Sequence, residues 1–137
     1  MKKYVITIII CSLLVACGGR MSKKQSLDHT LYQYEKVMRW AQYDNARTYF
    51  SPDMDETNQP SRLDIERLRQ FNISSYTASP ILPGDSEDTV LQNVQIKFYN
   101  IHTKRERVVV DQQVWQYDDE AKRWWLMSGL PDLVHHQ

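Results

Sequence analysis

From Leu27 onward the apolar residues Leu27, Leu31, Tyr34, Met38 and Ala41 recur at steps of four, three, four and three. That spacing lines one face of an α-helix, widened by Val37 and Trp40, with Ser26 as its N-cap and Asp28 suited to the positive end of its dipole. The pattern restarts at Tyr43, where Asp44 can cap a shorter helix bearing Ala46, Tyr49 and Phe50, and Ser51-Pro52 stops it. After an acidic loop over 53–60, Ser61-Arg62-Leu63-Asp64 reads as a capping box with Asp for Glu. It opens a third helix to about Phe71, with Leu63, Leu68 and Phe71 on its apolar side and Ile65 at the edge.

From Ile73 the period changes to two. Ile73 to Ser79 reads as a strand, and Pro80 and Pro83 favour an edge position or a bulge. A long strand over 89–101 alternates Val94, Ile96 and Phe98 with Gln95, Lys97 and Tyr99. A third strand over 105–117 carries Val108, Val110 and Val114 against Val109, Trp115 and Tyr117, and a fourth over 123–127 carries Trp124 and Leu126 against Trp125 and Met127. Helices followed by antiparallel hairpins predict an α+β domain: two or three N-terminal helices packed on a curved antiparallel sheet of about four strands. Strands this long need twist and bulges to wrap around the helices.

Before the first helix stands a different pattern. Lys2 and Lys3 precede an apolar run from Val5 to Ala16, broken only by Thr7 and Ser12 and ending at Cys17. About twelve residues make roughly 18 Å of helix, short of the ~30 Å hydrocarbon core of a bilayer. A basic start, a short apolar stretch and a small residue before the cut describe an export signal. Leu14-Val15-Ala16-Cys17 resembles the lipobox of bacterial lipoproteins. The resemblance implies cleavage between Ala16 and Cys17 and a lipid on the Cys17 thiol. An uncleaved anchor, or a plain secretory signal with an incidental cysteine, are the competing readings. Gly18 in place of aspartate after the cysteine implies, by the same likeness, the outer membrane facing the periplasm.

The expected organisation is a signal over 1–16, a lipidated cysteine with a flexible tether over 17–25, a domain over 26–133 and a tail over 134–137. Loss of the signal lowers Lys+Arg from 17 to 15 against 17 Asp+Glu, so the mature chain is near −2 and no nucleic-acid partner is expected. Cys11 leaves with the signal, so the mature chain can form no internal disulfide and no Cys-based metal site.

Trp40 to Ala46 at the break between the first two helices, with Val114 to Asp118 and Trp124-Trp125-Leu126 in the last hairpin, resembles small bacterial lipoproteins carrying an NTF2-like (cystatin-like α+β) domain. That likeness implies a sheet curved around the helices, leaving a cone that is either a ligand pocket or a filled core. Enzymes with this fold put Asp, His or Tyr in the cone. The candidates here are Asp111 and Gln113 on the face shared with Trp115, plus His102 and Tyr99, though no enzyme motif matches residue by residue. His102 falls in a turn, and the glutamines flanking Asp111 suggest a solvent-facing or bulged stretch, so no catalytic role is assigned. Trp115, Trp124 and Trp125 are the candidate partner surface. Trp124 and Trp125, being adjacent on a strand, must point to opposite faces. Lys104, Arg105 and Arg107 form a local basic patch that reads as a solvated strand end, Asp53, Asp55 and Glu56 lack the glycine and terminal glutamate of a calcium loop, and His135-His136 reads as a tail. No cofactor or metal is expected.

The resulting expectation is a lipid-anchored cell-envelope protein, a non-enzymatic binding or envelope-maintenance module with a membrane contact through Cys17 and an envelope protein or glycan as partner. The alternative is a small-molecule binder or a cryptic isomerase or hydrolase using the cone.

Overall fold

The structure, a computed structural model, describes residues 21–135. The expected export signal with Ala16, the expected lipid site Cys17, most of the expected tether, His136 and Gln137 lie outside the described residues.

Helix α1 (Lys23–Arg39) starts four residues earlier than its apolar stripe suggests. Ser22 is its N-cap: the Ser22 hydroxyl accepts from the Gln25 N–H at 3.2 Å, and the Gln25 side chain accepts from the Ser22 N–H at 3.1 Å. This reciprocal cap satisfies two otherwise unpaired donors, so the helix opens on charged residues and Ser26 becomes an interior position. Residues 23–25, expected to be tether, are therefore helical. Leu27, Tyr34, Val37 and Met38 are buried along one face. Trp40, expected to widen that face, is instead 73% exposed, because it terminates the helix and Ala41 turns the chain at φ 53°.

Helix α2 (Tyr43–Ala46) runs into a 3₁₀ turn over Arg47–Tyr49. Its N-cap is Gln42 without a side-chain bond, and Asp44 pairs across to Arg69 rather than capping. Helix α3 (Arg62–Leu68) carries the expected reciprocal cap between Ser61 and Asp64. It stops at Leu68, and its buried side is Ile65 and Leu68, while Leu63 is exposed. Two turns offer only one narrow face, and the i, i+3 pair takes it.

Phe71 opens the sheet instead of ending the helix. The strands are β1 (Phe71–Ala78), β2 (Leu82–Pro83), β3 (Thr89–Asn100), β4 (Glu106–Asp118) and β5 (Arg123–Leu126). Their order is β1-β3-β4-β5, with β2 also on β3, and every pairing is antiparallel. Strand β1 is an edge strand with a register shift between Ile73 and Ser75. Gly84 closes the turn between β2 and β3: a Cβ there would lie 2.8 Å from the Thr89 carbonyl oxygen, which accepts the Gly84 N–H. Lys104 and Lys122 take positive φ in the two hairpin turns, 58° and 54°.

The sheet curls into a half-barrel with three helices against it, the α+β class expected. Its concave side is packed with side chains. Val94, Ile96 and Phe98 enter from β3, Trp115 from β4, Trp124 and Leu126 from β5, and Leu133 from the C-terminal segment. Tyr34, Tyr49 and Trp115 meet edge to face, with centroids 5.1–6.1 Å apart. Such pairs add about 0.5–1.5 kcal/mol beyond the area they bury.

Candidate functional site

One polar cluster stands inside this apolar interior. Trp115 fixes the inward parity of β4, so the residues two and four positions earlier, Gln113 and Asp111, also point inward while Gln112 points out. Asp111 is buried, at 9% exposure, which corrects the solvent-facing reading of its glutamine neighbours. The Gln113 amide nitrogen donates to the Tyr76 hydroxyl and to Asp111 Oδ2, each at 2.9 Å. The Gln113 carbonyl oxygen accepts from the Trp115 indole at 3.1 Å. Tyr34 is fully buried and its hydroxyl has no hydrogen-bond partner.

Burial pushes the Asp111 carboxyl up to about 6, opposed in part by the Gln113 bond. Burial first, and then the Asp111 charge, push the Tyr34 phenol well above its ordinary value. Tyr76 is also raised by burial, against the Gln113 bond. A carboxyl poised in this range can hold or release a proton near neutral pH. His102 and Tyr99 do not join it. His102 is exposed in the turn after β3, its N–H donating to Asn100 Oδ1, and Tyr99 accepts from Asn72 Nδ2 at 3.3 Å and lies under Lys104. Tyr34 and Tyr76 completed the cluster without any sequence signal, since tyrosine on an apolar stripe is ordinary core.

The three candidate tryptophans divide. Trp115 and Trp124 are core residues, at 0% and 3% exposure, and leave the proposed partner surface. The Trp124 indole donates to the Lys23 carbonyl oxygen at 3.2 Å. Trp125 alone faces outward, half-buried, with the Arg123 guanidinium 4.0 Å from its ring and its indole donating to Asp118 Oδ2 at 3.0 Å. The Asp118 carboxyl is held below the usual range by the Ala121 N–H and then by this indole.

A cleft of about 300 Å³ lies between the 57–60 loop, α3 and the C-terminal segment, with Phe50 and Leu68 in it and Arg67 and His135 at its border. His135 Nδ1 sits 2.8 and 2.9 Å from the Asp132 carboxylate oxygens. Arg105 and Arg107 line a recess of about 80 Å³ with Phe71 and Phe98, and Glu106 between them pairs with Lys97 at 3.8 Å. None of these concavities includes Asp111. Among the described residues, no group of three or more His, Cys, Asp or Glu could hold a metal ion, and no helix is long and apolar enough to cross a membrane.

No family model, curated protein or solved structure matches this chain.

Proposed function

We propose that the chain is a lipid-anchored cell-envelope protein, an NTF2-like lipoprotein whose domain acts as a non-enzymatic binding or envelope-maintenance module. The observation that carries this reading is Leu14-Val15-Ala16-Cys17 at the end of a short apolar run with a basic start. Acylation at Cys17 anchors the mature chain, stably once more than one acyl chain is attached. With Ser22 capping α1, five residue steps separate anchor and domain, at most about 18 Å of chain. The domain then works against the membrane surface. The packed interior favours partner recognition on the outside, and Trp125 under Arg123 offers an aromatic, cationic corner suited to an envelope protein or glycan.

The test is Cys17→Ser in cells fed labelled fatty acid. Loss of label, with accumulation of unprocessed chain, is the expected result; undiminished labelling overturns the reading. A second reading, a small-molecule binder or cryptic isomerase or hydrolase, draws on the unpartnered Tyr34 hydroxyl beside buried Asp111. The side chains filling the interior weigh against it, and a ligand protected from solvent at Asp111 would bring it forward.

A further inference from the structure

The outer face of the sheet carries an apolar row that the linear sequence scatters over 46 positions. Leu82 is opposite Leu91, Leu91 is opposite Val114, and the Met127 N–H donates to the Val114 carbonyl oxygen at 2.8 Å. Strands β2, β3 and β4 and the residue just after β5 thus contribute Leu82, Leu91, Val114 and Met127 side by side, facing away from the helices. Leu82, Leu91 and Met127 are 51%, 37% and 41% exposed.

The rows beside it are uncharged. On one side Thr89 and Gln116 lead to Trp125 at the corner. On the other, Asn93 pairs with Gln112, and beyond them Gln95 lies between Thr77 and the exposed Val110. These twelve outward positions hold no charged residue. Charge returns at the two ends of the face in pairs of opposite sign: Lys97 with Glu106 at 3.8 Å at one end, and at the other Asp118 opposite Arg123, with Asp119, paired to Lys122 at 2.7 Å, bordering the recess beside Gln116, Trp125 and Met127.

We propose that this face docks a second copy of the same chain, sheet on sheet about a two-fold axis. A surface that meets its own copy must not oppose like charges, and a face neutral in its centre and internally balanced at both ends meets that condition. The uncharged rows span about 20 Å along the strands and about 15 Å across them, roughly 300 Å² in projection. A standard interface takes about 800 Å² per partner, so contact must extend to Val108, Ile81 and the charged ends, and the dimer is a weak one. The proposal does not depend on lipidation, so acyl labelling and the dimer test fail separately.

Sedimentation equilibrium of the purified full chain in density-matched detergent tests it. The mass should climb from one chain toward two with concentration, and Leu63→Lys, an exposed site on α3, should behave like the unaltered protein. Leu91→Lys should stay at one chain with unchanged thermal unfolding; if it unfolds, Gln112→Lys on the same face is read in its place. One chain at every concentration, or a dimer that survives the face substitution that folds, overturns the proposal. If the unaltered protein also stays at one chain and bound detergent falls in Leu91→Lys, the face is assigned to lipid and the proposal is overturned.

Discussion

Asp111→Asn isolates the cost of holding a carboxylate inside the half-barrel. The carboxyl titrates near 6 in the folded chain against an ordinary 3.8, because burial disfavours its charged form. The folded state therefore binds the proton more tightly than the unfolded state. Stability associated with this group is fully present below about pH 4, falls as pH rises through the window between 3.8 and about 6, and is gone above it. The shift corresponds to roughly 3 kcal/mol. Asparagine keeps an oxygen to accept the Gln113 amide at 2.9 Å and never ionises. The variant should match the parent protein within about 1 kcal/mol near pH 4 and exceed it by up to roughly 3 kcal/mol above pH 7. For a domain of this size that is on the order of 10 °C in Tm. Thermal or urea unfolding of both proteins at the two pH values reads the difference, and titrations common to both cancel. A variant that is less stable at both pH values, or a gap that does not open with pH, refutes the assignment of a buried, destabilising charge.

Two further substitutions probe the same interior. Tyr34→Phe removes a buried hydroxyl that has no partner, so urea unfolding should find it neutral or stabilised by up to about 1 kcal/mol; a loss above that would mean the hydroxyl is bonded. Trp115→Ala should cost about 3–5 kcal/mol as a cavity forms and Gln113 loses its indole donor, whereas Trp125→Ala should cost much less and act on partner capture instead. Equal destabilisation by the two would contradict the division of the hairpin tryptophans between core and surface.

The sheet was legible because period-two patterns report burial directly: Val94, Ile96 and Phe98 all face the core, and Trp124 and Trp125 part as adjacent strand residues must. The Ser61–Asp64 cap was legible for a similar reason, since its bonds are local. The start of α1 was missed because Lys23 and Lys24 extend the helix beyond its apolar stripe, where only the Ser22–Gln25 spacing carries the signal. Asp111 misled because neighbouring glutamines describe composition, while counting in twos from Trp115 describes direction. Tyr76 and Tyr34 meet β4 only through tertiary packing, which no spacing along β1 or α1 encodes. The outer row Leu82–Leu91–Val114–Met127 likewise exists only once the register is known.

The hydrogen bond from the Trp124 indole to the Lys23 carbonyl oxygen spans 101 positions of sequence. With Trp115 against Tyr34 and Leu133 at zero exposure, it means that the first helix completes its packing only against the last strand and the segment after it. A chain emerging from the ribosome at about 5–20 residues per second holds α1 for several seconds without those partners. During that interval the core cannot close. On the proposed export route, in which the chain is threaded unfolded, this late closure is an asset: α1 stays without its last partners until β5 and the segment after it have been made.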